Sequence, residues 1–182
     1  DSTVTLALTI NQPTSSTVTA TACGSYTWDE NTTTYTTSGS YPVVLAGANA
    51  NGCDSTVTLI LTINQPTSST VAITECESYT WAQNGTTYTA SGSYPVVLAG
   101  ANANGCDSTV TLVLTITGLP TATATDNGDA SMTASAGTSY QWINCATNTA
   151  IAGATSQTYT ATVNGDYAVV VTNAGGCSDT SS

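Results

Sequence analysis

Apolar and polar residues alternate along the start of the chain. Val4, Leu6, Leu8 and Ile10 are separated by Thr5, Ala7 and Thr9. The same phase returns at Val57, Leu59, Leu61 and Ile63, and again at Val110, Leu112, Leu114 and Ile116. A period of two predicts a β-strand with one face in a core. The intervening positions 7, 60 and 113 read Ala, Ile and Val, which suits an outward face. Shorter segments rich in Thr, Val and Tyr predict further strands near Thr17–Ala22, Ser25–Trp28, Thr33–Thr36 and Gly39–Leu45, with Asp54–Ile63 closing the set. Asn31 and Asn84-Gly85 carry hairpin-turn chemistry, and Asn51-Gly52 and Asn104-Gly105 mark another turn.

The strand pattern sits inside a repeat. Asp1–Cys53 recurs almost letter for letter as Asp54–Cys106, and the opening phrase starts again at Asp107, a period of 53 residues. Repetition at this length marks an array of small structural units. Duplicated modules usually build length, spacing or multivalency, whereas an active site rarely needs two near-copies in tandem. The polar stretches Asn11-Gln12-Pro13-Thr14 and Asn64-Gln65-Pro66-Thr67 are the expected linkers. The chain then divides into a strand plus linker at 1–14, repeats at 15–67 and 68–120, and a divergent domain at 121–182.

That last domain shares a skeleton with the repeats. Ser139-Tyr140-Gln141-Trp142 matches Ser25-Tyr26-Thr27-Trp28, and Gly165-Asp166-Tyr167 matches Gly39-Ser40-Tyr41. Asn173-Ala174-Gly175-Gly176-Cys177 matches Asn49-Ala50-Asn51-Gly52-Cys53. A Trp on a middle strand and a Gly-x-Tyr opening a later one point to an immunoglobulin-like arrangement. The expected fold class is all-β: tandem immunoglobulin-like β-sandwich domains in a linear array. Trp28, Trp81 and Trp142 are expected in the cores rather than stacked on sugars.

Composition narrows the function. The chain has no Lys, Arg or His, and its formal net charge is −11. Phosphate neutralisation is therefore impossible, so nucleic acid is not an expected partner. No run is long enough to span a membrane as a helix, and membrane insertion is not expected. The common general bases, Schiff-base lysines and imidazole metal ligands are all missing, so no catalytic residue, cofactor or metal is expected. Asp126-Asn127-Gly128-Asp129 offers oxygen ligands for calcium but reads more simply as a tight turn. Six cysteines in small domains predict structural disulfides and an oxidising, extracellular compartment. The expected pairs lie within domains: Cys23–Cys53, Cys76–Cys106 and Cys145–Cys177, with a partner beyond Ser182 as the alternative for Cys145. Each repeat loop of about thirty residues would contribute about 3–4 kcal/mol.

The phrase Cys-Asp-Ser-Thr-Val-Thr-Leu-x-Leu-Thr-Ile-Asn, with Ser-Tyr-Thr-Trp and Gly-x-Tyr, resembles tandem repeats of very large secreted surface proteins of Bacteroidota of the type IX-secreted kind. The segment from Tyr140-Gln141-Trp142 through Gly176-Cys177-Ser178-Asp179-Thr180 is similar to the Ig-like modules near the end of such proteins. The resemblance implies export to the cell surface, adhesion or filament roles, and no catalysis. It also implies O-glycosylation at Asp-Ser-Thr, which makes Ser2, Ser55 and Ser108 candidate sugar sites; plain hydroxyls at a β-edge are the competing reading. The expected function is an extracellular structural protein, a segment or subunit of a cell-surface filament or stalk. A glycan- or surface-binding adhesin region is the alternative. Self-association is the expected partnership. Asp1–Ile10 reads as a final strand without its own domain, and 121–182 reads as a domain short of most of its last strand. Val4, Leu6, Leu8 and Ile10 are thus candidate donor-strand residues for the next subunit.

Overall fold

The computed structural model describes residues 1–182. It is all-β, with no helix. By its contacts the chain divides into two compact units, Asp1–Ser68 with Val97–Thr109, and Ser69–Val96 with Val110–Ser182.

The first unit contains β1 (Thr14–Cys23), β2 (Tyr26–Trp28), β3 (Thr33–Tyr35), β4 (Gly39–Leu45) and β5 (Ser55–Asn64). The strands β1-β5-β4 form one sheet, and β2-β3 form a separate hairpin. The alternation of Val57, Leu59, Leu61 and Ile63 works as expected: all four are buried, while Ile60 on the other face is 42% exposed. They cluster with Trp28 from the hairpin, and Tyr26, Tyr35, Tyr41, Val43 and Leu45 pack around them. Each buried aliphatic side chain stabilises by about 1.5–3 kcal/mol. The hairpin chemistry expected of Asn31 is present, since its Oδ1 accepts the Thr33 N–H at 3.1 Å and its Nδ2 donates to the Tyr35 hydroxyl at 2.8 Å.

Three features depart from expectation. The strand expected over Asp1–Ile10, with one face in a core, does not form: no strand precedes Thr14, and Val4, Leu6, Leu8 and Ile10 are exposed, because no neighbouring strand lies beside them to complete a ladder. The strand expected near Thr17 begins at Thr14, and it pairs with β5 in parallel, from Thr14 opposite Ser55 to Cys23 opposite Asn64. The linker consequently shrinks to Gln65-Pro66, where proline has no N–H to extend the ladder. In addition, the Trp28 strand is short. It pairs only with β3, because Asp29–Thr32 turns the chain straight back, with Thr32 at φ 55°.

The second repeat carries β6 (Thr67–Cys76), β7 (Tyr79–Trp81), β8 (Thr86–Tyr88), β9 (Gly92–Leu98) and β10 (Ser108–Thr117), with sheet order β6-β10-β9 and a β7-β8 hairpin. The remaining strands are β11 (Ala124–Asp126), β12 (Ser131–Ala134), β13 (Ser139–Asn144), β14 (Thr149–Ala150), β15 (Thr158–Thr160), β16 (Tyr167–Thr172) and β17 (Ser178–Thr180). They form two sheets, β11-β12-β15 and β14-β13-β16-β17. Ala134, Trp142, Val169 and Val171 are the core here, and the Trp142 indole N–H donates to the Ser156 carbonyl at 2.9 Å.

The Gly-x-Tyr match is structural. Tyr41, Tyr94 and Tyr167 each donate their hydroxyl to the backbone carbonyl four residues upstream, at 2.8–2.9 Å. The Trp match is only partial: β13 runs six residues and pairs with β16, whereas β2 has three residues and stays in its hairpin.

Candidate functional site

The chain's most specific local chemistry lies where one repeat passes into the next. Asn102 organises it. Its Oδ1 accepts the N–H groups of Asn104 at 3.0 Å and Cys106 at 2.9 Å, and its Nδ2 donates to the Gln65 carbonyl of the linker at 3.0 Å. The Asn102 N–H donates to the Cys106 carbonyl at 3.0 Å, closing the turn, and Gly105 supplies the left-handed residue at φ 75°. A short amide side chain suits the task, because it accepts and donates at once.

The same clamp recurs twice. Asn49 Oδ1 accepts from Asn51 at 3.0 Å and Cys53 at 2.9 Å, and Nδ2 donates to the Gln12 carbonyl at 2.9 Å. Asn173 Oδ1 accepts from Gly175 at 3.0 Å and Cys177 at 3.1 Å, and Nδ2 donates to the Gly118 carbonyl at 2.8 Å. The gripped residues Gln12, Gln65 and Gly118 stand one period apart. At Gly175 a side chain would collide with that of Thr117, so glycine there permits the close approach.

A disulfide crosses two of these clamps. Cys23 bonds Cys106 and Cys76 bonds Cys177, with Cα atoms 5.6 and 5.7 Å apart. The pairings expected within domains, Cys23–Cys53, Cys76–Cys106 and Cys145–Cys177, are therefore not the ones formed. The cause is the parallel strand. Cys23 lies opposite Asn64, at the exit of β5, while Cys53 precedes the entry of β5 at Ser55. About nine residues of extended strand at about 3.3 Å each hold those two sulfurs roughly 30 Å apart, beyond the span of any disulfide. Cys23 instead lies beside the linker that Asn102 grips, and meets Cys106. Cys53 and Cys145 carry free thiols.

Replacing Asn102 by alanine removes three side-chain hydrogen bonds at a half-buried turn. We expect a loss of about 1–3 kcal/mol, read as a lower urea midpoint. Asn102→Asp retains the acceptor and loses the donor, so it should fall between the two. If Asn102→Ala matched the parent, the clamp would contribute nothing.

The other singled-out residues are dispersed. Ser55 and Ser108 open β5 and β10, half-buried, and accept hydrogen bonds from the hydroxyls of Thr14 and Thr67 at 3.1 Å; Ser2 is exposed. Val4, Leu6, Leu8 and Ile10 are 71–91% exposed. Trp28, Trp81 and Trp142 are buried, so no indole face is open to a sugar. Asp126 and Asp129 are occupied by their own turn: Asp126 accepts the Gly128 N–H at 2.8 Å, and Asp129 accepts from the Ser131 hydroxyl and N–H. Those bonds, the hydroxyl's first, hold the Asp129 carboxyl below the usual carboxylate range. That turn edges an open concavity of about 620 Å³ reaching to Val163 and Tyr167. No three Cys, Asp or Glu side chains gather closely enough to hold a metal.

No family model and no curated protein matches the chain. Among solved structures, one similar chain is the crystal structure of Dscam1 isoform 9.44, N-terminal four Ig domains, at 14% identity. The match covers 72% of this chain and 50% of that one, with a TM-score of 0.24. The chain spans half the length of that structure.

Proposed function

We propose that the chain is a non-enzymatic extracellular structural protein, a segment of a cell-surface stalk or filament built as a linear array of immunoglobulin-like β-modules. One observation carries this reading. The disulfides do not close each repeat on itself; they tie one repeat to the following module, across a linker that an asparagine also grips. A covalent tie of that kind resists separation of neighbours under load, which is what a stalk requires and a catalyst does not. Disulfides are consistent with an oxidising compartment. The resemblance to repeats of secreted Bacteroidota surface proteins supports the same assignment, with glycans on Ser2, Ser55 or Ser108 as its covalent decoration.

A filament also needs a contact between chains. Donation of Asp1–Ile10 to residues 121–182 of a neighbour is a head-to-tail mode of this type. Its obstacle lies at the receiving strand. There β17 already pairs with β16, and Ser181 exchanges two hydrogen bonds with Val169, at 2.9 and 3.0 Å. A donor must displace Ser178–Ser181. Electron microscopy of the 182-residue protein tests the reading: regular fibres are expected, and deletion of residues 1–10 should leave soluble monomers. Fibres of unchanged form after the deletion would rule out donation, and saturable binding on a glycan array without fibres would favour an adhesin.

A further inference from the structure

Cys53 occupies the position in its clamp that Cys106 and Cys177 occupy in theirs. The Asn-to-Cys turn has the same hydrogen bonds, and the linker carbonyl is gripped at the same distance, 2.9 Å at Gln12 against 3.0 Å at Gln65. The Asn11 side chain adds a bond to the Asn51 carbonyl at 3.4 Å. Yet Cys106 and Cys177 are buried and bonded, whereas Cys53 is half-exposed and free.

A second observation adjoins it. Asp1–Ile10 has the sequence phase of β5, but it forms no strand and its apolar side chains are bare. In β5 that face is covered by Trp28 of the β2-β3 hairpin, while a parallel strand ending in cysteine and an antiparallel Gly-x-Tyr strand flank it in the sheet. The register places the terminal cysteine of the parallel strand opposite Asn64. One period earlier, the residue opposite it is Asn11, next to Gln12 and the Cys53 turn.

We propose that Cys53 is the acceptor thiol of an intermodular disulfide, its partner being the cysteine that ends the parallel strand of a repeat-type module joined ahead of Asp1. Each module would then be bonded to the following one in an unbroken series. The chemistry selects a repeat-type module over residues 121–182 of another copy. The first strand there, β11, holds no cysteine, and the free thiol Cys145 follows β13 instead. Bond formation removes two protons and two electrons from the thiol pair, and a disulfide oxidant such as oxidised glutathione takes them up to become two thiols. The inference does not rest on filament formation, and it competes with strand donation for Asp1–Ile10.

The test fuses a copy of residues 14–53 directly ahead of Asp1, carrying Val44→Ile at an exposed position so that its Asp29–Cys53 fragment differs in mass from the parent's, and the chain is refolded in a glutathione redox buffer. Alkylation without reduction should label Cys53 and Cys145 in the parent. In the extended chain it should label Cys145 and the added copy of Cys53, with Cys53 itself protected. Since trypsin has no site, non-reducing digestion with an Asp-specific protease should yield Cys53 joined to the added copy of Cys23. Cys53 remaining labelled, or joined to any other thiol, would overturn the proposal. Should the fusion misfold, the parent reports directly. A peptide of sequence Thr14–Gly24, presented as its glutathione mixed disulfide, should capture Cys53 at least about tenfold over the more exposed Cys145, and equal capture would overturn it.

Discussion

Replacing both Cys76 and Cys177 by alanine should destabilise the protein by about 4–5 kcal/mol, while Cys53→Ala should change its stability by less than about 0.5 kcal/mol. The contrast follows from the pairing. Cys76 and Cys177 are 101 residues apart and Cys23 and Cys106 are 83 apart, so each bond closes a long loop in the unfolded chain. Loop entropy rises only logarithmically, so these bonds exceed a thirty-residue loop by about 1 kcal/mol each. The two loops overlap between Cys76 and Cys106, so their contributions will not add in full. Urea unfolding followed by tryptophan fluorescence measures the effect. At an m-value of about 2 kcal/mol per molar, the double variant's midpoint should fall by about 2 M. Cys53 and Cys106 stand at the same place in adjacent repeats, so pairing within repeats requires Cys53→Ala to be as costly as Cys106→Ala. That result would refute the assignment.

The same cysteines show which parts of the structure could be read from the sequence. Alternation reveals which face of a strand is buried, and it holds for Val57 to Ile63 and the solvent side at Ile60; it fails for Val4 to Ile10, which carry the same phase but form no strand, because the pattern does not say whether a partner strand is present. Turn chemistry was equally legible at Asn31, Asn84-Gly85 and Asn51-Gly52, because those residues act locally. Strand neighbours were not legible. β1 is almost wholly solvent-exposed over its first six residues, so no hydrophobic phase announced where it starts or that it runs parallel to β5. With that one pairing unknown, the cysteines at opposite ends of β5 looked like neighbours. The clamp was half visible. The shared Asn-to-Cys spacing in Asn49–Cys53, Asn102–Cys106 and Asn173–Cys177 read as a turn. That its asparagine reaches the preceding linker depends on a contact 37 residues away in the repeats and 55 residues away at Asn173.

Leu59→Ala should cost about 2–5 kcal/mol, and Leu6→Ala should cost almost nothing, although both residues occupy the same position of the same repeated phrase. Leu59 is fully buried between Trp28 and the other aliphatic residues of β5, so truncation forfeits its transfer free energy and leaves a cavity in a small core. Leu6 is 83% exposed, so little is lost. Paired urea titrations on the two variants decide the matter at low protein concentration, where intermolecular strand pairing is weakest. The titration of Leu6→Ala is then repeated at high concentration. A cost that emerges only there would show that the Asp1–Ile10 face is covered by another chain, because a truncation destabilises only where the side chain is packed. A cost comparable to that of Leu59 even at high dilution would mean that the strand is packed within its own chain, and the proposed place for a preceding module would already be filled.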